Sequence, residues 1–201
     1  MTAKFITLEG MDGAGKSTHI PGIIAALQVR GHEVVSTREP GGTLLGERLR
    51  DILLHEPMHA ETETLLMFAA RREHIARVIA PALARGAYVL SDRFTDATYA
   101  YQCGAKGVAA LKIQLLEKWV QAELQPDITL LFDVPVEVSM QRLASARAPD
   151  KFEREGIDFF THIREAYLRR AQQNPARFRV IDANRSVEEV NLSVANIIAK
   201  L

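Results

Sequence analysis

The sequence predicts an α/β protein in which helices cover both faces of a five-stranded parallel sheet, giving three layers. Short apolar runs alternate along the chain with segments of helical apolar spacing. A glycine-rich loop follows the first run, and charged side chains end the next three, at the edge where parallel sheets bind ligands. With 201 residues, 47% of them hydrophobic and 25% charged, the chain is predicted to form one domain, 1–201.

The five predicted strands are short apolar runs bounded by turn residues. In chain order they are residues 3–9, 33–37, 87–94, 127–134 and 178–181. The fourth run, DITLLFDV, is the most apolar, as is typical of a parallel strand buried on both faces. The predicted helices are residues 15–30, 44–53, 61–85, 96–101, 109–124, 136–146, 157–173 and 187–200.

Glycine and proline set the ends of several predicted helices. The first helix stops at Gly31 and the third at Gly86, because glycine readily adopts the left-handed conformation that follows a helix. Pro81 is expected to interrupt the third helix, since proline has no backbone N–H to donate. The segment TREPGG after the second strand is predicted to be a turn.

The stretch GMDGAGKST matches the phosphate-loop pattern GxxxxGK[ST] between a strand and a helix. Its glycines let backbone N–H groups wrap a triphosphate, and Lys16 can reach the β and γ phosphates. The helix that follows directs the positive end of its dipole at the same anion. The predicted triphosphate contacts here are Gly10, Met11, Asp12, Gly13, Ala14, Gly15, Lys16, Ser17 and Thr18. The alternative is a glycine-rich turn that binds nothing.

A Mg²⁺ ion that accompanies ATP would need a hydroxyl and a carboxylate near this loop. Ser17 supplies the hydroxyl. Asp92 and Asp133 both end apolar strands and compete for the carboxylate role. We favour Asp92 because the adjacent Arg93 would let one turn serve both metal and phosphate. A helix N-cap is the alternative role for Asp92.

Four arginines from separate segments suggest a second phosphate site: Arg38, Arg50, Arg71 and Arg93. Two phosphorylated substrates repel each other, so an enzyme that moves phosphate between them needs several cations. Each arginine taken alone is better explained by a solvated surface ion pair.

Two stretches could form a pocket for a flat base. Met67, Phe68 and Arg71 lie at helical spacing, which combines an apolar wall with a guanidinium. Met67 and Phe68 could equally be core residues. The stretch TDATYAYQ offers Thr98, Tyr101 and Gln102, and a glutamine amide matches the donor and acceptor edge of a pyrimidine.

A basic break lies between the predicted helices 136–146 and 157–173. It holds Arg147, Lys151 and Arg154 around Pro149, with Arg142 just before it. Such a loop can be a lid, here placed at 147–155, that brings positive charge to a transferring phosphoryl group. A solvated run of charges is the alternative.

Overall charge and cysteine content limit the classes of partner. Lys plus Arg and Asp plus Glu both number 25, so the net charge of +0 gives no reason to expect nucleic-acid or anionic-membrane binding. The single cysteine, Cys103, cannot form an intramolecular disulfide. With neither a leader before Phe5 nor a run of membrane-spanning length, a cytoplasmic protein is expected.

The motifs together resemble the bacterial thymidylate kinases, members of the P-loop nucleoside monophosphate kinases. The likeness runs through GMDGAGKST, TREPGG, FAARREH, DRFTDATYAYQ and PDITLLFDV, over essentially the whole chain. The resemblance implies a three-layer P-loop kinase fold with a short lid. It also implies that ATP, with Mg²⁺, phosphorylates dTMP to dTDP, and that the enzyme is a homodimer.

The resemblance further implies which residues touch the acceptor. The predicted dTMP contacts are Asp12, Arg38, Glu39, Arg50, Met67, Phe68, Arg71, Arg93, Thr98, Tyr101 and Gln102. Arg38 and Arg93 would hold the dTMP phosphate, and Arg50 would assist through solvent. Asp12 would approach the sugar 3′-hydroxyl, and Tyr101 would crowd the position of a ribose 2′-hydroxyl.

The family pattern also implies base contacts and catalytic cations. Arg71, Thr98 and Gln102 would contact thymine, and Arg142 would lie over adenine. The predicted catalytic residues are Lys16, Arg93, Arg147 and Lys151. Arg147 is the first choice for the lid cation and Lys151 the second.

The chain departs from the family at two positions. Met67 stands where the family usually has Phe, so Met67 and Phe68 both remain candidates for packing on thymine. Gly13 stands where eukaryotic relatives have Arg, which places this chain with the subgroup that supplies its basic residues from the lid.

Other functions remain open from the residues alone. The nearest are another nucleoside monophosphate kinase or a nucleoside kinase, and a nucleoside kinase would need a carboxylate base to activate the acceptor hydroxyl. A nucleotide switch is a more distant alternative, because the chain has no NKxD sequence to select guanine.

Overall fold

Five strands form one parallel sheet in the computed structural model, which describes residues 3–144, 151–152 and 155–201. The strands are β1 (Phe5–Glu9), β2 (Val34–Arg38), β3 (Tyr88–Asp92), β4 (Ile128–Asp133) and β5 (Phe178–Asp182). Their order across the sheet is β2-β3-β1-β4-β5, so β1 and its phosphate loop lie at the centre. The predicted five-stranded parallel sheet is therefore confirmed.

Helices connect successive strands. They are α1 (Lys16–Val29), α2 (Leu44–His55), α3 (Ala60–His74), α4 (Ala80–Ala84), α5 (Thr95–Thr98), α6 (Ala110–Gln121), α7 (Val136–Ala144), α8 (Ile157–Gln173) and α9 (Val187–Ile198). Two π-helical turns, Ile75–Ile79 and Tyr99–Ala105, follow α3 and α5. Among the described residues, none of these helices has the length and apolar character needed to cross a membrane.

The sheet buries side chains on both faces. Ile6 and Leu8 of β1 belong to one core cluster that includes Ile23 of α1 and Val190 of α9. Phe5 points to the other face, in a second cluster of residues from α3, β3 and α6. The predicted three-layer arrangement follows, because both faces of the central strand are covered by helices.

The predicted helix 61–85 differs in detail from the structure. Its interruption begins at the π-helical turn Ile75–Ile79, and Pro81 lies in the first turn of α4. Proline cannot donate to the carbonyl one turn earlier, so the helix changes its hydrogen-bond pattern before Pro81 rather than ending there.

The predicted lid falls mostly outside the described residues. Of the segment 147–155, the structure describes Lys151, Phe152 and Glu155. Arg147, Pro149 and Arg154 are not among the described residues, so the lid and the extent of the single domain stay predictions.

Candidate active site

The phosphate loop joins β1 to α1 through glycines in left-handed or otherwise restricted conformations. Gly13 has φ 76°, and a Cβ atom there would lie 2.5 Å from the carbonyl oxygen of Ser139 in α7. Gly15 has φ 89° and directly precedes Lys16, the first residue of α1. Only glycine fits the close approach at Gly13, and the loop ends where α1 presents its N-terminus.

Lys16 is buried inside this loop. Its Nζ donates to the carbonyl oxygens of Gly10, at 3.0 Å, and Met11, at 2.9 Å. Burial, and next the positive charge of Arg93, lower the pKa of Lys16. The ammonium therefore lies where a phosphate chain would replace backbone carbonyls as its partner.

Asp92 and Asp133 have different environments at the carboxyl edge of the sheet. Arg164 of α8 holds both oxygens of Asp133, with its Nε and Nη2 at 2.8 and 2.9 Å. Asp92 Oδ1 is buried and has no hydrogen-bond partner among the residues that the structure describes. This orphaned oxygen and the exposed Ser17 hydroxyl suit Mg²⁺, whose remaining ligands would be water and phosphate oxygens.

The turn after β3 places Arg93 between the phosphate loop and a neighbouring cavity. Arg93 has φ 70°, an unusual conformation for a residue with a Cβ atom. Its Nη1 donates to the carbonyl of Gly10, and its Nη2 donates to Asp12 and to the Tyr101 hydroxyl, at 2.6 and 2.9 Å. One guanidinium thus links the donor loop to the acceptor side.

A buried glutamate, Glu9, supports this turn and was not predicted as a site residue. It accepts from the Phe94 backbone N–H at 2.7 Å and from the Tyr167 hydroxyl at 2.8 Å. Tyr167 in turn accepts from Arg93 at 3.0 Å. Burial, and next the negative charge of Asp96, raise the pKa of Glu9 from 4.5 to about 8. The sequence signal that could have identified Glu9 is its position at the end of an apolar strand, directly before the glycine loop.

Asp12 and Tyr101 form a floor between the phosphate loop and a neighbouring cavity. The Tyr101 hydroxyl donates to Asp12 Oδ2 at 2.7 Å, and Arg93 donates to Oδ1. Burial acts to raise the pKa of Asp12, but Arg93 and Lys16 outweigh it and hold that pKa well below its usual range. Burial also raises the pKa of Tyr101, so the phenol stays neutral and donates.

A cavity lies beside these two side chains, with about 610 Å³ of empty space that is partly open to solvent. It is lined by Asp12, Glu39, Pro40, Arg50, Leu54, Met67, Arg71, Arg93, Phe94, Ala97, Thr98, Tyr101, Gln102 and Phe152. Nine of the eleven predicted dTMP contacts are in this lining, and the two that are not are Arg38 and Phe68. Residues from several distant segments thus meet at one site.

Arg71 is the most constrained side chain of the cavity. Its Nε donates to Glu39 at 2.7 Å, and its Nη2 donates to Thr98 Oγ1 and the Phe94 carbonyl, at 3.0 and 3.2 Å. His74 contacts the other oxygen of Glu39 at 2.8 Å. Arg71 Nη1 is buried without a hydrogen-bond partner among the described residues. Because Arg71 lines the cavity, a ligand with a hydrogen-bond acceptor could satisfy this buried N–H donor.

Phe68 and Arg38 are not among the residues that line the cavity. The Phe68 ring is 1% exposed and lies under Arg71, whose Cζ is 4.7 Å from the ring centroid, while Met67 lines the cavity. Contact of Phe68 with the base stays a prediction. Arg38 is half-exposed and pairs with Glu47 of α2 at 2.8 Å. Phe94, which was not predicted as a site residue, also lines the cavity.

Arg142 and Lys151, predicted to contact adenine and the phosphoryl group, lie in different parts of the structure. Arg142 donates to the carbonyl of Gly13 at 3.4 Å, which places it beside the phosphate loop. Lys151 pairs with the buried Glu63 of α3 at 2.8 Å, on the cavity side of the molecule. Its contact with the transferring phosphoryl group stays a prediction, as does that of Arg147, which lies outside the described residues.

The comparisons with known proteins agree with this geometry. A family model for thymidylate kinase matches residues 8–194. The chain belongs to the thymidylate kinase family. It is 67% identical over 197 residues to a thymidylate kinase from Methylobacillus flagellatus, covering 98% of this chain and 97% of that protein.

Other thymidylate kinases match over the whole chain as well. One from Cupriavidus necator is 62% identical over 203 residues, with 100% of both chains covered. A crystal structure of thymidylate kinase from Ehrlichia chaffeensis has a TM-score of 0.78 at 32% identity, covering 98% of this chain and 99% of that one. The resemblance seen in the motifs is confirmed, and the protein is a nucleoside monophosphate kinase with thymidylate kinase activity.

Proposed function

We propose that the phosphate loop holds ATP, that the 610 Å³ cavity holds dTMP, and that Arg93 lies between their phosphates. The observation that carries this assignment is Arg71 Nη1, a buried donor of a cavity-lining residue that has no partner among the described residues. A base placed against it must present an acceptor, and thymine O4 is such an atom whereas the cytosine amino group is not.

The sugar would lie over Asp12 and Tyr101. Both side chains line the cavity and are held to each other and to Arg93. A rigid phenol here leaves little space for a 2′-hydroxyl, so the site favours a deoxyribonucleotide.

Catalysis would rest on alignment and neutralisation of charge. Lys16 and Arg93 face the phosphates, and we place Arg38, Arg50 and the lid residue Arg147 on the outer side of the two anions. Mg²⁺, held by Ser17 and Asp92, would supply positive charge to the phosphate oxygens of ATP. Lys151 is the second choice for the lid cation.

No general base is needed for this transfer. The acceptor is a phosphate monoester whose second pKa is near ~6, so at neutral pH its oxygens are already anionic. Asp12 is a poor base, because its pKa is held below the usual range. The acceptor's own ionisation therefore supplies the nucleophile.

The test is ATP turnover with a panel of acceptors: dTMP, dUMP, dCMP, thymidine and none. We expect dTMP to give the highest kcat/KM, and thymidine to give no turnover above the sample without acceptor. Turnover on thymidine that exceeds turnover on dTMP would indicate a nucleoside kinase. Hydrolysis that is independent of any acceptor would indicate a nucleotide switch.

The role given to Arg147 has a separate test. Arg147→Ala removes a cation expected to contact the phosphoryl group only during transfer, so kcat should fall about 100-fold or more while KM for dTMP changes little. Steady-state kinetics at saturating ATP measures both. Equal kcat values for variant and wild type would remove Arg147 from this role.

We also propose a homodimer located in the cytoplasm, where ATP and nucleoside monophosphates are found. α3 packs against α6, and together they expose Leu65, Leu111, Leu115 and Trp119, the last 82% exposed. A second copy would cover this apolar surface. Trp119→Glu should yield monomers in sedimentation experiments, whereas Leu192→Glu, at an exposed apolar position on α9, should not.

A further inference from the structure

Glu63 of α3 is fully buried and binds three donors behind the cavity wall. Gln102 Nε2 donates to Glu63 Oε1 at 2.9 Å. Lys106 Nζ and Lys151 Nζ both lie against Oε2, at 2.9 and 2.8 Å. Glu63 does not itself line the cavity, but Gln102 does. One carboxylate is therefore connected to the substrate site through one amide.

The chemistry of Glu63 determines which end of the Gln102 amide faces the cavity. An ionised carboxylate can only accept hydrogen bonds, and the nitrogen is the only donor of the Gln102 side chain. The amide must therefore turn its nitrogen to Glu63. Its oxygen, which has no hydrogen-bond donor among the described residues, remains for a ligand.

Two lysines place positive charge beside the Glu63 carboxylate. Their side chains are 20% and 19% exposed, and both are positioned at one carboxylate oxygen. They also flank the Phe152 ring, at 4.5 and 5.1 Å from its centroid, and Phe152 lines the cavity. The anchor for Gln102 is thus built from three segments of the chain.

We propose that Glu63 is a positioning residue that fixes the Gln102 amide with its oxygen toward the base, and thereby sets the preference for thymine over cytosine. The inference rests on the proposed function, in which Gln102 and Arg71 face the base. Arg71 Nη1 then offers a donor and Gln102 Oε1 an acceptor. This pair matches O4 and N3–H of thymine, and it opposes the amino group and bare N3 of cytosine.

Glu63→Gln changes one carboxylate oxygen to an amide nitrogen at the same volume. The two lysine ammonium groups will draw the remaining oxygen, which leaves the new NH₂ group against Gln102. Gln102 must then turn its own oxygen inward and present its nitrogen to the base. That arrangement suits N3 of cytosine and opposes N3–H of thymine.

The experiment measures kcat/KM for dTMP and for dCMP in the wild type and in Glu63→Gln. We expect the dTMP:dCMP ratio to fall at least roughly tenfold, mainly through a higher KM for dTMP with a much smaller change in kcat. Glu61→Gln is the matched control, since Glu61 lies one half-turn away, half-exposed, and binds Lys112 outside the cavity. Its ratio should stay within about twofold of wild type.

A double mutant shows whether Glu63 acts through Gln102. Gln102→Ala alone should lower the ratio, and adding Glu63→Gln should lower it no further. A Glu63→Gln ratio equal to wild type, beside a lowered Gln102→Ala ratio, would overturn the role of Glu63 and leave the proposed base site standing. An unchanged ratio in Gln102→Ala would overturn both.

Loss of folded protein does not obscure this result. The ratio compares two substrates in one enzyme preparation, so the active fraction cancels. If Glu63→Gln does not fold, Glu63→Met provides a second variant that removes the acceptor at similar length, and the ratio should again fall. A wild-type ratio in Glu63→Met would contradict the proposal.

Discussion

The two halves of the site are built differently. The donor half is one continuous loop and the first turn of α1, and its contacts come from backbone groups and from Lys16. The acceptor half is a cavity whose walls come from the segments around Asp12, Glu39, Arg71, Arg93 and Gln102. Two of the three arginines that line the cavity are paired with carboxylates, Arg71 with Glu39 and Arg93 with Asp12.

The phosphate loop depends on residues that are neighbours in the chain, whereas the cavity depends on contacts between distant segments. Glycine conformations position the phosphate loop within a few residues, so a change in one side chain there should alter chemistry without disturbing the fold. In the cavity, Arg71, Glu39 and His74 hold each other, as do Arg93, Asp12 and Tyr101. A change there should alter binding and stability together.

The largest expected effect is at Lys16. Lys16→Met should lower kcat by about 1,000-fold or more, because the ammonium neutralises charge on the transferring group. The free energy of unfolding should change by less than about 1 kcal/mol, since a buried cation is replaced by an apolar side chain. Steady-state kinetics and urea titration measure the two effects, with the exposed Lys200→Met as control. A large loss of stability in Lys16→Met would contradict the claim that the phosphate loop can be changed without disturbing the fold.

Arg71 should show the opposite pattern. Arg71→Met leaves the buried Glu39 without its guanidinium, which should cost about 3 kcal/mol of stability. The base also loses its donor, so kcat/KM for dTMP should fall by roughly 100-fold, mainly through KM, while KM for ATP is unchanged. The exposed neighbour Arg72→Met should match the wild type in both measurements. Retained stability with an unchanged KM would contradict a distributed network.

Glu9 gives a smaller, pH-dependent effect. Its pKa is about 8 in the folded protein against 4.5 ordinarily, so the folded state binds the extra proton. The Glu9 contribution to stability is therefore present below about pH 4.5 and is lost as the pH rises through about 8. Over this window the free energy of unfolding should fall by on the order of a few kcal/mol.

Glu9→Gln removes this titration. The decline in unfolding free energy between pH 5 and 8 should become shallower in urea titrations, whereas the exposed Glu123→Gln should keep the wild-type slope. A steeper decline in Glu9→Gln would mean that Glu9 stabilises the turn at Arg93 as a carboxylate. The phosphate loop, which begins at Gly10 directly after Glu9, would then depend on buried charges in the same way as the cavity.

The local structure of the donor half follows from the sequence more directly than the arrangement of the acceptor half. The strand, glycine loop and helix were all recognised from neighbouring residues, because the conformations involved are local. The sequence offered both Asp92 and Asp133 as the Mg²⁺ carboxylate, since both end apolar strands. In the structure, Arg164 pairs with Asp133, whereas Asp92 Oδ1 has no hydrogen-bond partner among the described residues. Arg164 lies 31 positions after Asp133 along the chain, too far for a local pattern to predict the pair.

In the cavity too, the sequence alone could not decide which of two neighbouring residues contacts the site. Met67 and Phe68 are adjacent in the chain and both apolar, and helix rotation alone decides that Met67 faces the cavity while Phe68 lies beneath Arg71. Glu63, Phe94 and Phe152 were not predicted as site residues. Each follows an ordinary apolar or helical pattern, and its role depends on partners from other segments.

The sequence by itself determined the parallel sheet, the phosphate loop and the family, because apolar periodicity and glycine spacing act over a few residues. Only the tertiary structure decided which polar atoms lack a partner within the described residues, and which rings line the cavity. That choice depends on burial and on charge pairs between segments such as α3 and the turn at Tyr99–Ala105, which no local pattern records.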